Sequence, residues 1–222
     1  DPDRWMASRF VADPVRREEV VALYALNVEL SKIAGQVSQP LLGEIRLAWW
    51  REGLDEIEAL RPVRGHPVLH ALEAAHARAP LDRGLLDLML DTRLRDLEPA
   101  PLADEAEVYA YLDGTAVALA AAAARRLAPD VDPHAVQAAA RAFGIAGLAR
   151  LGRLPVGWTR AEIAGRVEAA REAANRDLAS LPAEAFAAVA YSALAPVYAR
   201  GREPGPLARR LRLLGAVATG RV

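Results

Sequence analysis

Apolar positions are densest early in the chain. Val20, Val21, Leu23, Tyr24, Leu26, Val28, Leu30 and Ile33 crowd together more closely than one helical stripe requires. The pattern predicts a helix over 14–34 that is buried on several sides. Asp13 supplies an N-cap and Pro14 suits the first helical position. Glu18 and Glu19 lie in the early turns, where the helix dipole favours negative charge, and Gly35 marks the expected stop. A second helix opens after Gln39, with Leu41, Ile45, Trp49 and Ile57 at helical spacing. The same reasoning gives helices over 40–60, 67–79, 82–98, 104–127, 133–151, 159–180, 183–200 and 206–219. No strand pattern persists, and proline and glycine fall mostly between helices. Residues 1–13 read as a short irregular segment pinned to the core by Trp5 and Phe10.

Two carboxy-terminal faces complete the pattern. Phe186, Val189, Ala190, Ala193 and Val197 share one face of 183–200, in which Pro196 is expected to kink or end the helix. Leu207, Leu211, Leu214 and Val217 form a stripe opposite Arg209, Arg210 and Arg212. The favoured reading is a core-facing helix with a solvated basic face; the alternative is contact with anionic lipid or an acidic partner.

Composition narrows the classes. The chain has 222 residues, 53% of them hydrophobic, enough for one large all-α domain over 1–222. A net charge of −1 gives no indication of a nucleic-acid partner, and the absence of cysteine excludes disulfides and thiolate metal sites. The longest apolar run, Ala116 to Ala124, is about half of what spans a bilayer. No signal peptide is visible, so the expectation is a cytoplasmic protein, at most peripheral to the inner membrane.

The segment VALYALNVELSK resembles the squalene and phytoene synthase motif that reads roughly ALYAFCRxxDDxxD. RLAWWREGLDEI followed by GHPVLHAL resembles the family's next segment, and EVYAYLDGTAVAL its YCxxVAGxVG helix. FGIAGLARLGRLPVGW is similar to the second motif, GxAxQLTNILRDVxED. The resemblance implies an all-α single-domain bundle of the isoprenoid synthase type with a central cavity. In that family the aspartates hold magnesium, which binds a prenyl diphosphate. Here the aspartate positions fall on Ser31, Lys32 and Gly35 in the first motif and on Leu154 and Trp158 in the second. None of these side chains serves as a hard-cation ligand, and an ammonium at Lys32 would repel one.

The resemblance therefore implies a protein without catalysis, closest to the branch containing the mitochondrial respiratory complex I assembly factor and its bacterial relatives. Such a protein would need no cofactor. It would act as an assembly or binding protein with a protein partner, or hold a prenyl diphosphate or other isoprenoid-like ligand. Arg17, Arg46, Arg150 and Arg153 are the candidate phosphate-binding residues, since arginine holds phosphate without metal; pairing with internal acids is the equal alternative. Tyr24, Tyr111, Gly114 and Thr115 are cavity-lining candidates, although Tyr24 and Trp49–Trp50 read more readily as core. The rival is an active prenyltransferase using magnesium at a remodelled site. Asp87 and Asp91, with Asp96, are its clustered carboxylates. Arg83 and Arg95 flank that pair at four-residue spacing, so a solvated ladder Arg83–Asp87–Asp91–Arg95 is the stronger reading. His66 and His70, without a third ligand, read as ordinary histidines.

Overall fold

The computed structural model describes residues 1–222, and no strand occurs among them. The helices are α1 (Pro2–Ser8), α2 (Pro14–Gln36), α3 (Pro40–Glu58), α4 (Pro67–Arg78), α5 (Arg83–Arg93), α6 (Glu105–Leu112), α7 (Ala118–Leu127), α8 (His134–Arg150), α9 (Arg160–Asp177), α10 (Ala195–Ala199) and α11 (Pro206–Thr219). Helix α2 is central: Val20, Leu23, Leu26 and Leu30 are fully enclosed, and it packs against α4 and α7. The alanines of α7 are buried almost without exception, which lets that helix approach its neighbours closely. The core is one continuous cluster running from Ala7 to Val222.

Most element starts follow local chemistry. Asp13 caps α2 by accepting from the Val15 amide at 2.8 Å, with Pro14 at the first position. His66 caps α4, its Nδ1 accepting from the Val68 amide at 3.2 Å. Thr159 and Glu162 form a reciprocal capping box on α9. Gly35 does not stop α2, which continues to Gln36 before Val37 turns extended.

Several expectations are corrected. Residues 2–8 are helical, because Asp1 accepts from the Asp3 and Arg4 amides as an N-cap. What this helix buries is Asp3, Arg4, Ala7 and Ser8, while Trp5 is 56% exposed. Phe10 does pack against the core. The span 104–127 is interrupted by a π-helical turn at Asp113–Val117, where α5 presses on Gly114.

The span 183–200 is two 3-10 segments, Ala183–Ala188 and Ala190–Leu194, followed by α10. Pro196 lacks the N–H that a continuous helix would need there, so the helix restarts. The stripe on α11 does not face the core: Leu207, Leu211, Leu214 and Val217 are exposed, and Leu213 and Ala216 are buried instead. In α3, likewise, Leu41 and Ile45 are exposed, and Leu47, Trp50, Leu54 and Ile57 carry the buried face.

Candidate functional site

A cavity of ≈ 570 Å³ lies between α1, α2, the end of α5, the α6–α7 junction, α8, α10 and α11. Its floor is apolar and close-walled: Leu112, Ala116, Phe143, Gly144 and Leu148. The small residues at the α6–α7 junction leave this space, and Thr115 holds the wall by donating its hydroxyl to the Tyr111 carbonyl at 2.7 Å. The mouth is charged. Arg4, Lys32, Arg93, Arg150 and Arg209 contribute five cations; Asp1 and Asp3 are the acids among the lining residues, and the cations pair with Asp1, Glu29, Asp96, Glu203 and Asp3 respectively.

Arg93 anchors a polar cluster on one wall. It donates to Asn27 Oδ1 at 3.0 Å, to the Tyr111 hydroxyl at 2.9 Å and to Asp96 Oδ2 at 2.9 Å. Tyr111 in turn donates to Asp96 Oδ1 at 2.8 Å. Burial pushes the Tyr111 phenol up to about 12; Arg93 opposes that and Asp96 reinforces it. The Nε of Arg93 has no partner.

Across the cavity, Arg4 is only 8% exposed, pairs with Asp1, and stacks over Phe143 and Tyr191 at 5.1 and 4.7 Å. Its Nε is also unpartnered. Arg150 stacks over Tyr198 at 4.5 Å and pairs with Glu203 at 2.7 Å. Asp3 accepts from the Tyr198 hydroxyl at 2.7 Å and lies 3.2 Å from Arg209 Nε.

Of the arginines expected to converge, only Arg150 lines this cavity. Arg153 stands behind the wall, 3.7 Å from Asp96. Arg17 is spent on the Val11 carbonyl at 2.7 Å, and Arg46 on Gln36 at 3.0 Å. Tyr111 and Thr115 line the cavity. Tyr24 is core, meeting Tyr191 edge-on, and burial raises its phenol well above its ordinary value. Gly114 faces Thr92 rather than the cavity.

Ser31 and Lys32 do reach the mouth, where Lys32 pairs with Glu29 at 3.0 Å. Gly35 lies a turn beyond them in open space. Leu154 is buried, and Trp158 stacks under Arg166 at 3.9 Å, both away from the cavity.

Asp87 and Asp91 lie outside the cavity. Arg51 reaches across from α3 to bind both, and Arg83 takes the other side of Asp87 at 2.9 Å. The expected ladder breaks at Arg95. The helix tightens into a 3-10 turn at Leu94, and Arg95 swings to Glu107. Arg4, Asn27 and Arg93 are not marked as site residues by the sequence, and Arg209, expected on the solvated basic face of α11, turns inward to Asp3 instead. For Arg4 the signal existed, since Asp1–Pro2 repeats the Asp13–Pro14 start of α2.

The model of the family described as Squalene/phytoene synthase matches residues 1–150 of this chain. The chain belongs to the squalene/phytoene synthase family. The match takes in α1 to α8, and so most of the cavity wall. Within this family, the chain is 30% identical over 99 residues to the bovine protein named NADH dehydrogenase (ubiquinone) complex I, assembly factor 6. It is 29% identical over the same length to the human protein of that name. Each match covers 45% of this chain and 29% of the relative.

Proposed function

We propose that this squalene/phytoene synthase family member is a non-catalytic assembly or binding protein. Its cavity takes an amphiphilic anion, of prenyl diphosphate or similar isoprenoid-like chemistry, without metal. The observation that carries this reading is the lining of the ≈ 570 Å³ cavity: arginine and lysine side chains stand around an apolar floor.

A family enzyme would hold magnesium here, and the donor set does not fit it. The two lining acids are already engaged, Asp1 by Arg4 and Asp3 by Tyr198 and Arg209. The α2 turn facing the mouth offers a hydroxyl and an ammonium, Ser31 and Lys32. No group of three His, Asp or Glu side chains is placed to hold a metal ion. Asp87 and Asp91, the carboxylates of the rival enzyme reading, are neutralised by Arg51 and Arg83 outside the chamber.

The assembly-factor names of the bovine and human relatives support a protein partner in the building of a respiratory NADH dehydrogenase. No helix is long and apolar enough to cross a membrane, which agrees with a protein in the cytoplasm or at the periphery of the inner membrane.

Calorimetric titration of farnesyl diphosphate into the purified protein, with and without magnesium, tests the cavity. Metal-independent binding that weakens at least tenfold in Arg93→Gln supports the reading. Magnesium-dependent binding, or any turnover of farnesyl or geranylgeranyl diphosphate, would return the chain to the prenyltransferases. Deleting the gene in its own host and measuring assembled NADH dehydrogenase in membranes tests the partner. An unchanged level would remove the assembly role.

A further inference from the structure

The geometry points to a membrane-docking face built by α11 and α1, whose partner is an anionic lipid bilayer. This inference does not depend on the cavity reading, and a protein that binds no diphosphate could still dock.

The outward surface of α11 is inverted relative to a soluble helix. Leu207, Leu211 and Leu214 are 69%, 59% and 51% exposed, at the spacing that places them on one face. The inward side of the helix holds Leu213 and Ala216, so the protein already has its share of the apolar side chains. Helix α1 extends the exposed strip. Its Trp5 is 56% exposed, beside an apolar groove that Met6, Phe10 and Leu214 also line. An exposed tryptophan next to a leucine stripe is the composition of a helix lying in the headgroup region.

Charge decides the occupant. Arg9 and Arg210 border the strip at the groove, with the Arg9 guanidinium 5.8 Å from the Trp5 ring centroid. Arg212 borders it on the opposite side, in a cleft shared with Arg200 and Arg221. None of these five arginines takes part in an ion pair. The nearby acids are committed elsewhere: Glu168 to Arg171, Glu203 to Arg150 and Arg209, and Asp3 to Arg209. Residues 204–222 contain no acid at all. Elsewhere on this chain most arginines are paired, so an apolar strip between free guanidinium groups matches lipid phosphates above an acyl layer. The same charges oppose a second copy of the face, since arginine borders would meet arginine borders.

Flotation with phosphatidylcholine vesicles, with and without phosphatidylglycerol, tests the face on the full chain. We expect flotation with the anionic vesicles, weakened by salt and at least tenfold weaker on neutral ones. Leu211→Gln/Leu214→Gln should lose at least tenfold in binding, as should Arg210→Gln/Arg212→Gln at low salt. All four positions are exposed, so the thermal melt should not move. Brominated lipid should quench fluorescence in the parent and much less in Trp5→Phe.

Failure of the parent to float with anionic vesicles overturns the proposal. So does undiminished flotation of both double variants. A dimer in light scattering that Leu211→Gln/Leu214→Gln dissociates would assign the face to a second copy instead.

Discussion

Tyr198 donates its hydroxyl to Asp3 at 2.7 Å, joining the first helix to the tenth across 195 residues of sequence. Both groups are buried, and burial together with the Asp3 carboxylate raises the Tyr198 phenol far above its ordinary value. Tyr198→Phe removes one hydrogen bond to a charged acceptor and leaves Asp3 beside Arg209. It should cost about 2 kcal/mol. Asp3→Ala strips both Tyr198 and Arg209 of a partner, and should cost about 3 kcal/mol or more. Urea unfolding gives the two values. Hydrogen exchange should also show α1 opening locally in both variants before the bundle does.

Gly114 is required by contact rather than by backbone angle. A Cβ built there would lie 1.9 Å from Thr92 Oγ1 and 2.8 Å from Thr92 Cβ. The second distance matters more, because Thr92 Cβ is fixed to its helix and cannot rotate away. Gly43 offers the contrast: its added Cβ would meet the tip of Leu97, 2.2 Å from Cδ2, which can move. Gly114→Ala should therefore destabilise by roughly 1–3 kcal/mol and by more than Gly43→Ala. Thermal melts of the two variants check the order.

Where chemistry is local, it is legible in the sequence. Asp13–Pro14, Thr159 with Glu162, and the dense apolar run of α2 each specify an element before any fold is known. Where the outcome depends on neighbours, it is not. Leu207 and Leu213 are the same residue type on one helix, and the packing of α11 on the 190–194 segment decides which is covered. The site shows the same division. Arg150 is found from its motif, but Arg4 and Arg93 approach the cavity from α1 and α5, and no spacing in the chain encodes that meeting. Arg95 departs from its ladder because one helix end tightens, a change invisible to a pattern of fours.

The phenols set a prediction for alkaline pH. Tyr24, Tyr109, Tyr111 and Tyr198 all titrate above the ordinary phenol range, with burial the leading cause each time. For Tyr111, raised to about 12, the folded state favours the neutral form. Its contribution is fully present below the unfolded value of about 10 and is lost as pH rises through 12. Stability should thus fall across that window, and Tyr111→Phe should flatten part of the fall. Phenolate absorbance should rise late in the folded protein and jump at the unfolding midpoint. A smooth titration centred near pH 10 in folded protein would contradict the buried environment.

Glu19 and Arg126 form the most enclosed ion pair in the bundle, 2.7 Å apart with side chains 5% and 9% exposed. Arg126 also donates to the Ala75 and Ala79 carbonyls at 3.1 and 2.8 Å, so it closes the end of α4 as well as pairing with α2. Glu19→Ala leaves a buried guanidinium without its counter-charge and should cost about 3–5 kcal/mol. Arg126→Met leaves the Glu19 carboxylate with Arg78 alone, 3.5 Å away, and should cost somewhat less. The double variant Glu19→Leu/Arg126→Met removes both charges and should be more stable than either single variant. It should still fall short of the parent, because the α4 carbonyls lose their donor whichever residue fills position 19. Denaturant unfolding of the full cycle measures this. Simple additivity of the two single costs would mean that the pair is not coupled and that each residue acts through separate contacts.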